Sequence, residues 1–256
     1  MLEIRNVAKR FQARENIVTA LDAFDLSVPD GEFLTIVGPS GCGKSTLLNL
    51  VSGLSPASEG ELTYRGRKIK GVDRKIGYIT QSDNLFPWRT IRDNVAFPLE
   101  LAGMGKRERH ARAEEWIERV GLGGFAGAYP HECSGGMRQR TNIIRTLIYE
   151  PEVILMDEPF GPLDAQTRIT LQDQLLQLWD KSRATVLFIT HDLTEAIALA
   201  DRLVLMSARP GRIVRVEDIN IPRPRDIFHM HDNVEFRRLY DDIWKELETQ
   251  VRGTTH

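Results

Sequence analysis

Residues 33–51 constrain the fold more tightly than any other stretch of this 256-residue chain. Five residues of strand character, Phe33-Leu34-Thr35-Ile36-Val37, run into Gly38-Pro39-Ser40-Gly41-Cys42-Gly43-Lys44-Ser45-Thr46, and apolar residues at helical spacing follow at Leu47, Leu48, Leu50 and Val51. The order is strand, glycine-rich loop, helix, and the loop satisfies the pattern G-x-x-x-x-G-K-[ST] in the context its chemistry requires. Its glycines let successive backbone N–H groups turn inward around phosphate oxygens, and the helix N-terminus adds partial positive charge. Lys44 is expected to reach β- and γ-phosphates, and Ser45 a Mg²⁺ ion.

Apolar strands alternate with helices on either side of this unit. Strands are expected at residues 2–7, 17–21, 60–64, 75–80, 153–156, 186–190, 202–206 and 213–216, with a basic loop at 65–70. Between residues 84 and 150 helical spacing takes over, at 91–101, 107–120 and 137–149, which predicts an inserted helical subdomain. Further helices are expected at 165–181 and 194–200, and Phe236, Leu239, Tyr240, Ile243 and Leu247 stripe one face of a last helix. Continuous apolar strands between helices argue a parallel sheet covered on both faces. The fold class is α/β, a parallel core sheet with an antiparallel β edge and the inserted helical subdomain, with the domain expected over residues 1–220 and a linker-like segment and helix over 221–256; Ile221-Pro222-Arg223-Pro224-Arg225 is the linker-like part.

Val153-Ile154-Leu155-Met156-Asp157-Glu158 is an apolar strand ending in two carboxylates, at the sheet edge where parallel-sheet proteins bind ligands. Asp157 is expected to hold Mg²⁺ through water, and Glu158 to accept a proton from attacking water, which separates hydrolysis from simple nucleotide binding. Gln81 follows the strand at 75–80 and His191 the strand at 186–190, so both are expected at the same edge. Ser134-Gly135-Gly136 opens another helix with free N–H groups, a second anion site. One nucleotide needs one phosphate loop, so this second site suggests a phosphate carried by a partner molecule and hence a dimer. His229-Met230-His231-Asp232 reads as a solvated turn before the last helix rather than a metal site.

Composition narrows the setting. Lys and Arg number 34 against 36 Asp and Glu, a net charge of −2, so no global field draws the chain to nucleic acid or anionic lipid. Two cysteines and a start, MLEIRNVAKR, without a signal-peptide stretch lead us to expect a reducing cytosolic location. The longest apolar runs are strand-sized, too short to span a bilayer.

Taken together, these elements resemble the ATP-binding subunit of an ATP-binding-cassette (ABC) transporter. The phosphate loop at 38–46, Gln81, the stretch Cys133-Ser134-Gly135-Gly136-Met137-Arg138-Gln139-Arg140, the strand ending Asp157-Glu158-Pro159, Leu163-Asp164 and the switch His191 occur in the family's order. The resemblance covers nearly the whole chain. It implies ATP and Mg²⁺, with Gln81 joining Ser45 and Asp157 as a metal ligand and Glu158, His191 and Lys44 as catalytic groups. It also implies a homodimer in which Gly38, Pro39, Ser40, Gly41, Cys42, Gly43, Lys44, Ser45 and Thr46 of one subunit and Ser134, Gly135 and Gly136 of the other close on a shared nucleotide, with Asp164 beside it. Phe11 lies where the family stacks an aromatic on adenine, and equally fits core packing. A coupling helix of an integral membrane permease is expected near Gln81, with Asn84-Leu85-Phe86-Pro87-Trp88 as its apolar patch, or as packing within the helical subdomain. The implied location is peripheral, on the cytoplasmic face of the inner membrane, with an extracytoplasmic solute-binding protein as an indirect partner and no nucleic acid.

Two positions depart from the family pattern: Cys133 where Leu is usual before Ser-Gly-Gly, and Pro162 where Ala is usual before Leu163-Asp164. Changed packing at Cys133 and an altered rate of partner sensing at Pro162, whose ring fixes φ and removes an N–H, are the expected consequences. The segments 85–95, 156–168 and 188–196 are similar to the nitrate, sulfonate and taurine importer group. A cassette ATPase acting on DNA or ribosomes is the alternative, and usually carries two cassettes or a coiled-coil insertion. A phosphotransferase would leave Ser134-Gly135-Gly136 and His191 without a task.

Overall fold

A computed structural model describes residues 1–13 and 16–252. Two sheets organise the chain. A four-stranded antiparallel sheet runs in the order β2 (Asn16–Val28), β1 (Leu2–Ala13), β4 (Glu59–Tyr64), β5 (Arg67–Lys68). A six-stranded sheet has β10 (Ile213–Asp218) antiparallel at one edge, then β9 (Arg202–Met206), β3 (Phe33–Val37), β8 (Thr185–Ile189), β7 (Val153–Asp157) and β6 (Ile76–Ile79), all parallel.

The parallel strands are buried on both faces, which is why they read as unbroken apolar runs. Leu34, Ile36, Leu155, Leu187 and Val204 face α1 (Lys44–Val51) and join Leu2, Phe24, Leu47 and Leu48 in one core between the sheets. Phe33, Ile154, Met156, Val186 and Phe188, the alternate residues, face α5 (Ala165–Ser182), α6 (Leu193–Leu199) and α7 (Val234–Arg252). Phe236, Leu239, Ile243 and Leu247 on α7 belong to this second core, as do Ile219, Ile221 and Ile227 before it. Arg225 is buried there, donating to the carbonyls of Ile197, Ala198 and Ala200 at the end of α6.

A third core belongs to the inserted helices α2 (Ile91–Leu101), α3 (Lys106–Arg119) and α4 (Gly135–Leu147), built from Ile91, Val95, Leu99, Ala113, Ile117, Ile144 and Ile148. Cys133 is 6% exposed and packs in it, so the shorter side chain at this position sits in apolar surroundings.

The hairpin β1–β2 extends well beyond the expected residues 2–7 and 17–21. Register shifts after Ile4, Val7 and Lys9, with Asn6 at φ 46°, break the period-2 alternation that marks a strand in sequence. Within the expected basic loop, Arg65 (φ 47°) and Gly66 (φ 73°) both occupy the left-handed region, the requirement of a two-residue hairpin turn, and pair β4 with β5. No helix among the described residues is long and apolar enough to cross a membrane.

Candidate active site

Four parallel strands deliver their following residues to one edge of the sheet. Val37 of β3 leads into the glycine loop, Ile79 of β6 towards Gln81, Asp157 of β7 into Glu158, and Ile189 of β8 towards His191. The chain leaves β7 sharply: Glu158 has φ 45°, a left-handed conformation that costs a non-glycine residue about 1 kcal/mol or more. Its N–H donates to the Ile189 carbonyl at 2.9 Å, which fixes the turn to β8.

This turn presents the Glu158 carboxylate between two neighbours. His191 Nδ1 lies 3.0 Å from Glu158 Oε2, and Gln81 Nε2 donates to the same oxygen at 3.3 Å. Residues 33 and 77 positions away in sequence thus meet one carboxylate oxygen. Beside it, Ser45 and Tyr78 neighbour the Asp157 carboxyl and favour its charged form. Burial pushes that carboxyl above its ordinary range and neighbouring Glu158 adds to the shift, while Ser45, Lys44 and Tyr78 pull it back. A hydroxyl and a carboxylate in contact form an all-oxygen donor pair, the chemistry a hard divalent cation such as Mg²⁺ takes.

Lys44, 7% exposed, donates from Nζ to the carbonyls of Gly38 (2.7 Å) and Pro39 (3.0 Å), so its ammonium lies inside the loop. Gly43 opens α1 at φ 106°, and a Cβ there would lie 2.8 Å from the Ala20 carbonyl, so only glycine lets the loop close on β2. Burial pushes the Cys42 thiol up, which keeps it protonated and unreactive. A concavity of about 280 Å³ is lined by Phe11, Val18, Ala20, Ser40, Gly41, Gly43, Lys44, Ser45, Thr46, Glu158 and Arg209. Phe11 is 43% exposed on its lip with Lys9 Nζ 5.0 Å from its ring centroid, so it is not a core residue.

Ser134, Gly135 and Gly136 do not line this concavity. Ser134 caps α4, its side chain accepting from Met137 N at 3.3 Å, and a Cβ on Gly136 would lie 3.5 Å from Leu163 Cδ2. Asp164, next along, caps α5 by accepting from Thr167 N at 3.0 Å, and the Thr167 side chain, with this N–H second, holds its carboxyl below the usual range. Ser134 and Asp164 thus stand at the starts of α4 and α5, outside the residues that line the concavity.

The chain matches the ABC transporter family over residues 21–161. The chain belongs to that family. It is 46% identical over 252 residues, 96% of this chain and 94% of the relative, to an uncharacterised ABC transporter ATP-binding protein of Methanocaldococcus jannaschii. It is 44% identical to the aliphatic sulfonates import ATP-binding protein of Bacillus cereus (88% of each chain). It is 46% identical to the taurine import ATP-binding protein of Rhizobium johnstonii (87% of this chain, 86% of the relative). Among solved structures, the dimeric post-hydrolysis state of the ATP-binding cassette MJ0796, bound to ADP and Pi, superposes with a TM-score of 0.80 at 34% identity, covering 87% of this chain and all of that one. This ABC cassette is an ATPase.

Several residues of the cassette's site were not legible as such in sequence. Tyr78 reaches Asp157 from mid-strand, where alternation marks only a half-buried position. Arg209 lies outside every motif of the family pattern, in the connection between β9 and β10, and its Nε donates to the Gly41 carbonyl at 3.2 Å. His229 and His231 lie outside the site: His229 Nδ1 is 2.8 Å from Asp226 Oδ2, and His231 meets the Phe236 ring edge-on at 5.1 Å between centroids. The described residues contain no group of three His, Cys, Asp or Glu placed to hold a metal ion.

Proposed function

We propose that this cassette powers import of a small sulfonate- or taurine-like solute, working as a homodimer against permease subunits on the cytoplasmic face of the membrane. The observation that carries the hydrolytic reading is the contact of His191 and Gln81 with one oxygen of Glu158, beside the Ser45–Asp157 pair. The solute class rests on the sulfonate and taurine import relatives.

The loop N–H groups and Lys44 bind the phosphates of ATP, and Phe11 receives the adenine ring. Ser45, Asp157 and Gln81 supply oxygens for Mg²⁺, which when bound neutralises phosphate charge. Water attacks the γ-phosphorus, the bond to the β–γ bridging oxygen breaks, and the proton passes to the Glu158 carboxylate. His191 and Gln81 hold the Glu158 oxygen for this step. Ser134, Gly135, Gly136 and Asp164 do not line the concavity of their own chain, which fits their service to the nucleotide of a second copy.

The loop after Gln81 is shaped for a membrane partner. Asn94, fully buried, donates from Nδ2 to the carbonyls of Phe86, Arg89 and Thr90 and accepts from Phe86 N, so residues 86–90 form a rigid platform. Trp88 stands on it at 72% exposure beside Phe86, an apolar surface suited to a coupling helix.

Purification of the tagged cassette from native membranes in mild detergent, with mass spectrometry of what co-elutes, tests this reading. A polytopic membrane protein at matched stoichiometry is the expected result. Recovery on ribosomes or DNA would overturn the transport role and leave the ATPase chemistry standing.

A further inference from the structure

Arg209 sits on a part of the fold that is fastened to the phosphate loop. In the β9–β10 connection, Gly211 N donates to the Ala20 carbonyl at 2.9 Å and Asp22 N to the Gly211 carbonyl at 3.2 Å, joining it to β2. A Cβ on Gly211 would lie 2.1 Å from the Cys42 carbonyl, so the connection also presses on the phosphate loop itself. Ser207 bridges the loop from within, its hydroxyl donating to the Pro210 carbonyl at 3.0 Å and accepting from Arg212 N at 3.0 Å. Arg212 pairs with Asp22 and so spends its charge on the scaffold.

Arg209 does not. Its Nε donates to the Gly41 carbonyl, and this is its one hydrogen bond among the described residues; no carboxylate pairs with it. Four of the five guanidinium N–H donors are left for a ligand. Among the described residues, Arg209 and Lys44 are the cations lining the concavity, and they approach it from different elements: Lys44 from α1 inside the loop, Arg209 from the β9–β10 connection outside it. A guanidinium fork with free donors, held against a phosphate-binding backbone, is suited to a phosphate oxyanion.

We propose that Arg209 is a second phosphate-binding cation of the nucleotide site, contacting the polyphosphate of ATP from the β9–β10 connection. This deepens the nucleotide-site reading above and rests on it. It also assigns a binding role to the dipeptide Arg209-Pro210, which none of the family motifs includes.

Calorimetric titration of the full chain with ATP tests it, on wild type, Arg209→Ala, Arg209→Lys and Lys44→Ala. Arg209→Ala is expected to raise the ATP dissociation constant about tenfold, the scale of a lost hydrogen bond to a charged group, with the thermal midpoint of the nucleotide-free protein unchanged. Arg209→Lys should recover part of the affinity, and Lys44→Ala should lose binding. An unchanged dissociation constant in Arg209→Ala, while Lys44→Ala loses binding, would overturn the Arg209 role and leave the nucleotide site intact. A loss matched by a lowered thermal midpoint would make Arg209 a loop support instead, and unchanged ATP affinity with weakened dimerisation would assign it to the subunit interface. A wild-type chain that binds no ATP would overturn both readings.

Discussion

Glu195 is a carboxyl buried directly behind the loop that carries His191. It is 5% exposed, accepts from Thr190 Oγ1 at 2.6 Å and from Gln172 Nε2 at 3.0 Å, and has Arg168 Nε at 3.8 Å. Burial pushes its pKa from 4.5 to about 6, the hydrogen bond from Thr190 and the charge of Arg168 opposing only part of that cost. A folded-state value above the unfolded one means that the folded chain binds the proton more tightly. The associated stability is complete below pH 4.5 and is lost as pH rises through about 6. Glu195→Gln removes the titration. Its stability relative to wild type is therefore expected to shift in the variant's favour by about 2 kcal/mol between pH 4 and pH 8, at 1.36 kcal/mol per pKa unit. Urea unfolding at the two pH values measures this, and a pH-independent difference would contradict it. The apolar run and the Thr-His-Asp order at 190–192 are plain in the sequence, but nothing there shows that the Glu four residues beyond His191 turns inward.

Among the elements, the strands and helices around the parallel sheet are the most legible, because burial on both faces leaves runs such as 153–156 and 186–189 with no polar interruption. The antiparallel sheet is the least legible, since bulges and left-handed residues at Asn6, Ala23 and Arg65 shift the alternation. The last helix, α7, shows its stripe clearly, and the structure gives that stripe its partner, the core shared with α5 and α6. Leu239 is fully buried in it. Leu239→Ala is expected to lower stability by about 3 kcal/mol, the range of a large-to-small change in a packed core, and Trp244→Ala, on the half-exposed face, by much less. Chemical denaturation of both variants decides whether residues 234–252 unfold with the cassette core; equal small effects would show that they do not.

At the scale of the whole molecule, the proposed homodimer divides one chemistry between two sets of residues. The phosphate loop, Glu158 and Arg209 line the concavity, while Ser134 and Asp164 cap neighbouring helices away from it. In the proposed homodimer two copies related head to tail bring each set to the other, the arrangement expected to close on ATP and reopen after hydrolysis. Glu158→Gln keeps the hydrogen-bonding shape of the side chain and removes its capacity to take a proton. The variant is expected to bind ATP with wild-type affinity and to accumulate as a dimer in Mg-ATP, where wild type returns to monomer as ATP is consumed. Size-exclusion chromatography with light scattering reads this directly, and a variant that binds ATP normally yet stays monomeric would refute the assignment of Glu158 as proton acceptor.

The sequence by itself determined the strand–loop–helix that binds phosphate, the apolar strands of the parallel sheet, the inserted helices and the order of motifs along the chain. These are local properties, written in the spacing of apolar residues and in the glycines and lysine of one loop. Tertiary structure alone decided which side chains share an oxygen at Glu158, that Tyr78 reaches Asp157, that Glu195 is buried, and that Arg209 stands over the phosphate loop. Each of these contacts joins residues of different strands, helices or loops, and their distance is set by sheet order and by a bulged hairpin, neither of which leaves a periodic trace in the chain.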